Sequence, residues 1–387
     1  MGTHLRPSGD AVELSGPGPD PTGPELRVLL WMATANRVSG GHIVQLEETA
    51  TALRRYGIIA TTAFDAEPDL SGLDLVHGFD MRPETVHRCH DRGLPVAVSP
   101  IYWDLRYGPE GLSGLTLRSF LGRVRRAGTF AAAAMNSQSR LAELSMTAVR
   151  MARAKLALFE AADLLLPNSE GEAESIRRDL GVSTPMAVVP NAVNPERFDQ
   201  AGLPFHERDT VLYVGRIDPH KNQLGLIKAM RGTDKRLVLV GYDHPDHPDY
   251  VRACRKAGKG WVEFAGGHPP EELPPFFASA RVHVVPSWFE TTGLVSLEAA
   301  LSGCSLVSTD RGHARAYLGD GALYCDPADG GSIRAAVDAA WDREPGPELR
   351  DRVLDQFTWD HTARATATAY RCLLAGRPGA NDGKANR

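Results

Sequence analysis

A chain of 387 residues, 42% hydrophobic and 24% charged, has the composition of a folded, water-soluble protein and is long enough to build two cores. Its formal charge of −5 excludes the broad positive field that a nucleic-acid backbone requires, and no apolar run approaches the ~18–20 residues of a membrane-spanning helix. Five cysteines, Cys89, Cys254, Cys304, Cys325 and Cys372, stand singly with no CxxC pair, so neither a disulfide framework nor a zinc site is expected, and a cytoplasmic location fits.

Residues 1–24 are rich in Gly and Pro, lack the apolar core of a signal peptide, and read as a disordered leader. From Arg27 short apolar runs alternate with amphipathic stretches: strands at Arg27–Ala33, Ala60–Phe64, Leu73–Phe79 and Pro95–Pro100, and a helix at Ile43–Tyr56 after the first. A long helical region, Leu115–Ala162, leads to a strand at Leu164–Pro167, a helix at Glu170–Leu180 and a strand at Met186–Pro190. This alternation predicts an α/β domain over 25–200, a parallel sheet with helices on both faces. It restarts over 201–358, with strands at Val211–Val214, Arg236–Val240, Trp261–Ala265, Arg281–Val285, Ser305–Ser308 and Ala322–Cys325. Two doubly wound sheets in tandem place the expected active site between them, since such sheets bind ligands beyond the carboxyl ends of their strands. The amphipathic stretch His361–Gly376, within a last segment 359–376, is left over to pack back on the first domain, and 377–387 reads as a tail.

The chemistry concentrates in Pro286–Gly303 (PSWFETTGLVSLEAALSG), a strand end running into a helix that starts near Gly293. The unpaired N–H groups of Gly293, Leu294 and Val295 at that helix start suit a phosphate. Glu290 precedes the helix and Glu298 lies about two turns along it, which suits them to hydroxyls of a sugar and of a ribose respectively; taken alone, the pair equally fits surface carboxylates. In Leu212–Lys221 (LYVGRIDPHK) a strand runs into Gly215 and Arg216, with Lys221 following: a planar fork and a point charge able to balance a departing diphosphate where no metal motif is present.

Val214–Lys221, Pro286–Gly303 and Val188–Phe198 (VVPNAVNPERF) together resemble the large family 4 of retaining glycosyltransferases, closely in the C-terminal half and weakly in the first 160 residues. The resemblance implies the GT-B fold, two Rossmann-like domains facing a cleft with a C-terminal helix crossing back to the first. It also implies a sugar donor bound as a UDP- or GDP-sugar, an acceptor that is a small molecule, a glycan or a lipid-linked hydroxyl, no cofactor, and no metal. Arg216 and Lys221 then hold the diphosphate, Glu290 the donor sugar, Gly293 to Val295 the phosphates and Glu298 the ribose. Val262–His268 is expected to meet the base through its backbone.

In the first domain, Gly40 and Gly41 follow the first strand, where similar enzymes bring a loop close to donor phosphate and acceptor; a turn needing positive φ explains them as well. Where many members carry a histidine after the fourth strand, this chain reads SPIYWD: Tyr102 and Asp104 are candidate contacts to sugar or acceptor and Trp103 a flat apolar face, against the reading that Tyr102 and Trp103 simply pack. Asn168, Ser169 and Asn191 stand at strand ends near the same cleft, and caps and turns explain them equally well. His244 and His247 lie in a Pro-rich loop whose spacing matches no helical metal pair. Arg118, Arg123, Arg125, Arg126, Arg150, Arg153 and Lys155 make the long helical region locally basic, which reads as a solvated face with peripheral contact to anionic lipid left open. The same fold serves nucleotide-sugar binding proteins and epimerases, whereas a nicotinamide enzyme would need a GxGxxG fingerprint that Thr34–Gly41 lacks.

Overall fold

The computed structural model describes residues 25–32, 41–79, 81–103, 140–199 and 202–376, with the side chains of 140–149 and 151 left aside. The described residues form two compact units, one drawn from residues 25–103, 140–190 and 360–376 and the other from residues 191–359.

The first unit is built on five parallel strands, β1 (Leu26–Met32), β2 (Ile58–Ala63), β3 (Leu75–Phe79), β4 (Val96–Ser99) and β5 (Leu164–Leu165), in the order β2-β1-β3-β4-β5. Its helices are α1 (Gly41–Leu53), α2 (Pro83–His90), α3 (Arg140–Ala161) and α4 (Glu170–Leu180). Every residue of β3 and β4 is buried, as expected of strands covered on both faces. The strand expected at Met186–Pro190 is reduced to a single bridge between Leu165 and Met186. Pro185 and Pro190 flank it and Pro167 ends the neighbouring run, so donors are missing where a ladder would continue.

The second unit repeats the plan with six parallel strands, β6 (Thr210–Val214), β7 (Arg236–Val240), β8 (Val262–Gly266), β9 (Ala280–Val285), β10 (Ser305–Thr309) and β11 (Ala322–Cys325), in the order β11-β10-β9-β6-β7-β8. Around it lie α5 (Pro195–Phe198), α6 (Gln223–Met230), α7 (Pro248–Ala257), α8 (Pro274–Ser279), α9 (Leu294–Leu301), α10 (Arg315–Leu318), α11 (Gly330–Trp341) and α12 (Pro347–Gln356). One face of the sheet packs Leu212, Val238, Leu297 and Leu306; the other packs Val211, Leu237, Ile333 and Val337. The expected α/β architecture of two parallel sheets is therefore present, with strand limits moved by one or two residues.

The last helix, α13 (Trp359–Ala375), returns to the first unit from Asp360 onward. Tyr56 donates its hydroxyl to Asp360 Oδ2 at 2.9 Å, and Arg371 donates to the Tyr56 carbonyl at 2.7 Å. Deeper in, the Tyr370 hydroxyl lies 2.7 Å from His77 Nδ1, whose Nε2 lies 2.9 Å from Ser99 Oγ. Burial pushes the His77 imidazole down to about 3, so the ring is neutral and depends on both neighbours for its hydrogen bonds. Tyr370→Phe strands one ring nitrogen in the core and is expected to lower stability by about 1–3 kcal/mol, read from the shift of a denaturant midpoint at constant slope. Among the described residues no helix is long and apolar enough to cross a membrane, and the five cysteines are free thiols.

Candidate functional site

In the second sheet the chain leaves β6 toward β7 and β8 on one side and returns to place β9, β10 and β11 on the other. The point of reversal lies between the adjacent strands β6 and β9, where an open α/β sheet splays its loops apart and takes ligands. Gly215 and Arg216 follow β6, and the segment leading to Glu290 follows β9, so topology brings these two motifs together.

Asp218 caps a single turn, Pro219–Lys221, by accepting the His220 amide at 2.8 Å, and on its other oxygen it accepts Arg216 Nη2 at 3.1 Å. Asn222 ends the turn in the left-handed region at φ 58, its amide donating to the carbonyls of Pro286 and Pro327 at 3.1 and 2.9 Å, which ties the turn to the end of β9. Lys221 is thereby aimed at Glu290: Nζ lies 2.7 Å from Oε2, which also accepts Ser287 Oγ at 3.1 Å. Burial opposes the charge on Glu290, but the Lys221 ammonium, the hydrogen bonds from Lys221 and Ser287 and nearby His220 together hold its carboxyl below the ordinary value. Partial burial and the neighbouring Lys221 charge hold the His220 imidazole below its ordinary value, with Nε2 2.8 Å from the Phe289 carbonyl oxygen.

The backbone of Glu290 is pinned by the loop after β10: its N–H donates to the Arg311 carbonyl, and its carbonyl accepts from His313. That fit requires Gly312, at φ 105, because a Cβ there would overlap the Glu290 carbonyl oxygen. Gly293, at φ 72, turns the chain into α9 and leaves the amides of the first helical turn, Leu294 and Val295 among them, without partners inside the helix. Since α9 begins at Leu294, Glu298 stands a little over one turn along it, not two.

Among the polar side-chain atoms of this unit enclosed without a hydrogen-bond partner are Arg216 Nε, Glu298 Oε2 and Asn191 Oδ1. Buried polar groups are nearly always satisfied, so such orphans mark places where a ligand's complementary groups fit. Burial raises the Glu298 carboxyl to about 7, with Arg197 acting against it. Relative to an ordinary value of 4.5, the folded chain then holds an extra proton between the two, so this group's contribution to stability is full below about 4.5 and is lost as pH rises through about 7. Glu298→Gln is accordingly expected to gain melting temperature relative to the parent as pH is raised from about 5 to about 7.5; a gap independent of pH would show a carboxyl with an ordinary value.

Of the two readings open for Asn191 the structure shows a buried residue, whose Nδ2 donates to Thr292 Oγ1 at 2.9 Å and whose backbone amide donates to the Tyr317 hydroxyl at 3.0 Å. His244 was set aside with His247, and the structure puts its Nε2 3.6 Å from Asp218 Oδ2, beside Arg216, with the two imidazoles in edge contact.

Of the candidates in the first unit, Gly41 opens α1, exposed; Gly40 and Asp104 lie outside the described residues, as do Arg118, Arg123, Arg125 and Arg126. The reading of Tyr102 as a substrate contact is corrected: its side chain is 2% exposed, packed in the first core, with its hydroxyl 3.2 Å from Asp179 Oδ2. A phenol committed to a buried carboxylate is a packing residue.

Residues 208–342 match the family model described as Glycosyl transferases group 1. The chain is 33% identical over 174 residues to O-antigen chain mannosyltransferase B of Escherichia coli, covering 42% of this chain and 45% of that enzyme. It is 32% identical over 249 residues to D-inositol 3-phosphate glycosyltransferase of Acidothermus cellulolyticus, covering 56% and 55%. The matches thus span about half the length of these curated relatives. Among solved structures, sucrose-phosphate synthase from Thermosynechococcus elongatus superposes with a TM-score of 0.68 at 20% identity, over 91% of this chain and 100% of that one. HepE of Anabaena in complex with UDP and glucose gives 0.57 at 14%, over 90% and 96%. These identities speak for the fold alone. Residues 208–342 are thus similar to the glycosyl transferases group 1, within a chain whose two parallel-sheet units have the GT-B fold.

Proposed function

We propose that this chain is a retaining glycosyltransferase that moves a sugar from a UDP- or GDP-sugar to a hydroxyl acceptor by front-face displacement. The observation that carries the reading is the meeting, at the switch point of the second sheet, of Arg216, the Lys221–Glu290 pair and the start of α9, with Glu298 Oε2 enclosed and unpartnered nearby. As the bond between the sugar C1 and the diphosphate oxygen breaks, charge grows on the diphosphate. Arg216, Lys221 and the α9 amides stabilise it there. The acceptor oxygen bonds to C1 from the same face and its proton passes to the departing phosphate, so no covalent enzyme intermediate is required. Glu290, kept ionised by Lys221, faces the positive charge that develops on the sugar ring. Glu298 accepts the ribose hydroxyls. Similarity to a mannosyltransferase and to an inositol-phosphate glycosyltransferase supports the reaction class, and the UDP-bound HepE structure supports a nucleoside diphosphate.

The test is a thermal-shift screen of the full chain against UDP, GDP, ADP and TDP, repeated with the corresponding sugar nucleotides. A ligand at 100 times its Kd stabilises by about 2.7 kcal/mol, and UDP or GDP is expected to do so. No shift with any of the four would overturn the proposal. Because the charge is assigned to side chains and amides, sugar transfer is expected to persist in excess EDTA; activity lost to chelation and restored by Mg²⁺ or Mn²⁺ would reassign the leaving-group role to a metal.

A further inference from the structure

Arg216 is held by an acid where the proposed reaction needs it for an anion. Nε and Nη2 form one edge of its guanidinium: Nη2 donates to Asp218 Oδ2 at 3.1 Å, whereas Nε is enclosed and has no partner. Two phosphate oxygens that take this edge in the bidentate geometry a guanidinium favours must displace Asp218 from Nη2. Asp218 is 8% exposed, and a carboxylate oxygen left there without a donor, close to an arriving anion, opposes binding through lost hydration and repulsion. Some other donor must take the place that Arg216 vacates.

The segment between β7 and α7 brings one. The Tyr242 carbonyl accepts the Ile217 amide at 2.9 Å and the Ile217 carbonyl accepts the His244 amide at 3.2 Å, so residues 242–244 run beside the segment from Arg216 to Asp218. His244 Nε2 thereby lies 3.6 Å from the same Asp218 Oδ2 that Arg216 occupies. Nδ1 of the ring accepts the Asp246 amide at 3.1 Å, which leaves Nε2 to carry the proton and face the carboxylate. Burial and the Arg216 charge hold the imidazole below its ordinary value, against the pull of Asp218. At 3.6 Å the contact is not yet a hydrogen bond, and an approach of about 0.7 Å makes it one. The backbone around the exchange is fixed, because Gln223 accepts the Asp218 amide at 3.2 Å and donates to the Arg216 carbonyl at 2.7 Å, while Asp218 Oδ1 stays on the His220 amide. Only side chains need to change partner. Among the described residues the other titratable groups beside His244 are Asp246 and His247, whose ring meets it edge-on at 4.6 Å.

We propose that His244 is a positioning residue for the diphosphate: as Arg216 turns from Asp218 to the phosphate oxygens, His244 takes over the vacated carboxylate oxygen and so releases the guanidinium. The inference rests on the glycosyltransferase reading and adds to it a residue that acts through Asp218 on Arg216.

The experiment is calorimetric titration of the full chain with UDP and GDP, and with UMP and GMP, which lack the second phosphate. Wild type is expected to bind at least one diphosphate. His244→Ala should weaken that binding by about five- to tenfold, the worth of a hydrogen bond to a charged group, and weaken the matching monophosphate less. His244→Gln keeps an N–H donor of similar reach and should recover most of the loss. Asp218→Asn keeps an oxygen for the His220 amide and removes the charge, so His244→Ala should cost no further affinity in that background; a merely structural role would cost the same in both. Diphosphate binding undiminished in His244→Ala, a loss equal for mono- and diphosphate, or a loss that persists in full with Asp218→Asn overturns the proposal, and wild-type binding in the same titrations then leaves the transfer reading standing. Wild type that binds neither UDP nor GDP sinks the transfer reading and this inference with it.

Discussion

Alanine at Arg216 or Lys221 is expected to slow sugar transfer by about 10²–10³-fold, and both together by more, with the fold retained. The physical reason is that a diphosphate leaves with growing negative charge, and fixed cations meeting it in a water-poor site need no reorganisation as the bond breaks. The two side chains differ in what else they hold. Arg216 is tied to Asp218, which keeps its bond to the His220 amide when the guanidinium is removed, so Arg216→Ala should melt close to the parent. Lys221 is the cation on a buried Glu290, and its removal leaves that carboxylate with the Ser287 hydroxyl at 3.1 Å and no cation beside it to offset its burial, so Lys221→Ala should lose stability as well as rate. Lys221→Arg restores a cation and should recover stability before it recovers rate, because the guanidinium is a fork where a point charge is needed. Steady-state kinetics with donor hydrolysis as the fallback readout, beside melting curves, separates these effects. Full transfer activity in the double variant would remove both residues from the leaving-group role.

Glu290→Gln is expected to lower kcat by about 10²-fold with little change in donor KM, and Glu298→Gln to raise donor KM with little change in kcat. Glu290 carries a charge stabilised by Lys221 next to the proposed reacting centre, so its interaction grows as the sugar becomes cationic. Glutamine keeps the shape and loses the charge. In the proposed site Glu298 meets hydroxyls that do not change during the reaction, so its contribution would be equal in ground and transition states. Its carboxyl, raised to about 7 by burial, accepts hydrogen bonds best when ionised. Nucleotide affinity should therefore weaken as pH falls below about 7 in the parent and lose that dependence in Glu298→Gln. A reversed split, with kcat following Glu298 and affinity following Glu290, would turn the donor end for end in the site.

The alternation of apolar runs and amphipathic stretches determined the fold class by itself, because a strand buried on both faces and a helix buried on one leave different periods in the chain. Arg236–Val240 and Ala322–Cys325 appear with the limits read from sequence, each closed by a turn or a loop residue that ends its apolar run. The positions of Arg216, Lys221, Glu290 and Gly293 were legible for a related reason: they depend on short-range order, a strand end followed by a turn or by a helix start. The tertiary structure decided what spacing cannot express. It paired Lys221 with Glu290 across 69 positions, through a parallel-sheet neighbour relation between β6 and β9 that no local pattern encodes. It took Tyr102 into the core, because a carboxylate 77 positions away, Asp179, satisfies its hydroxyl there. It also buried the Asn191 side chain beside Thr292, and gave Glu172 two loops to hold. Burial and hydrogen-bond satisfaction are properties of what the folded chain brings near, and a polar residue reads the same in sequence whether water or protein surrounds it.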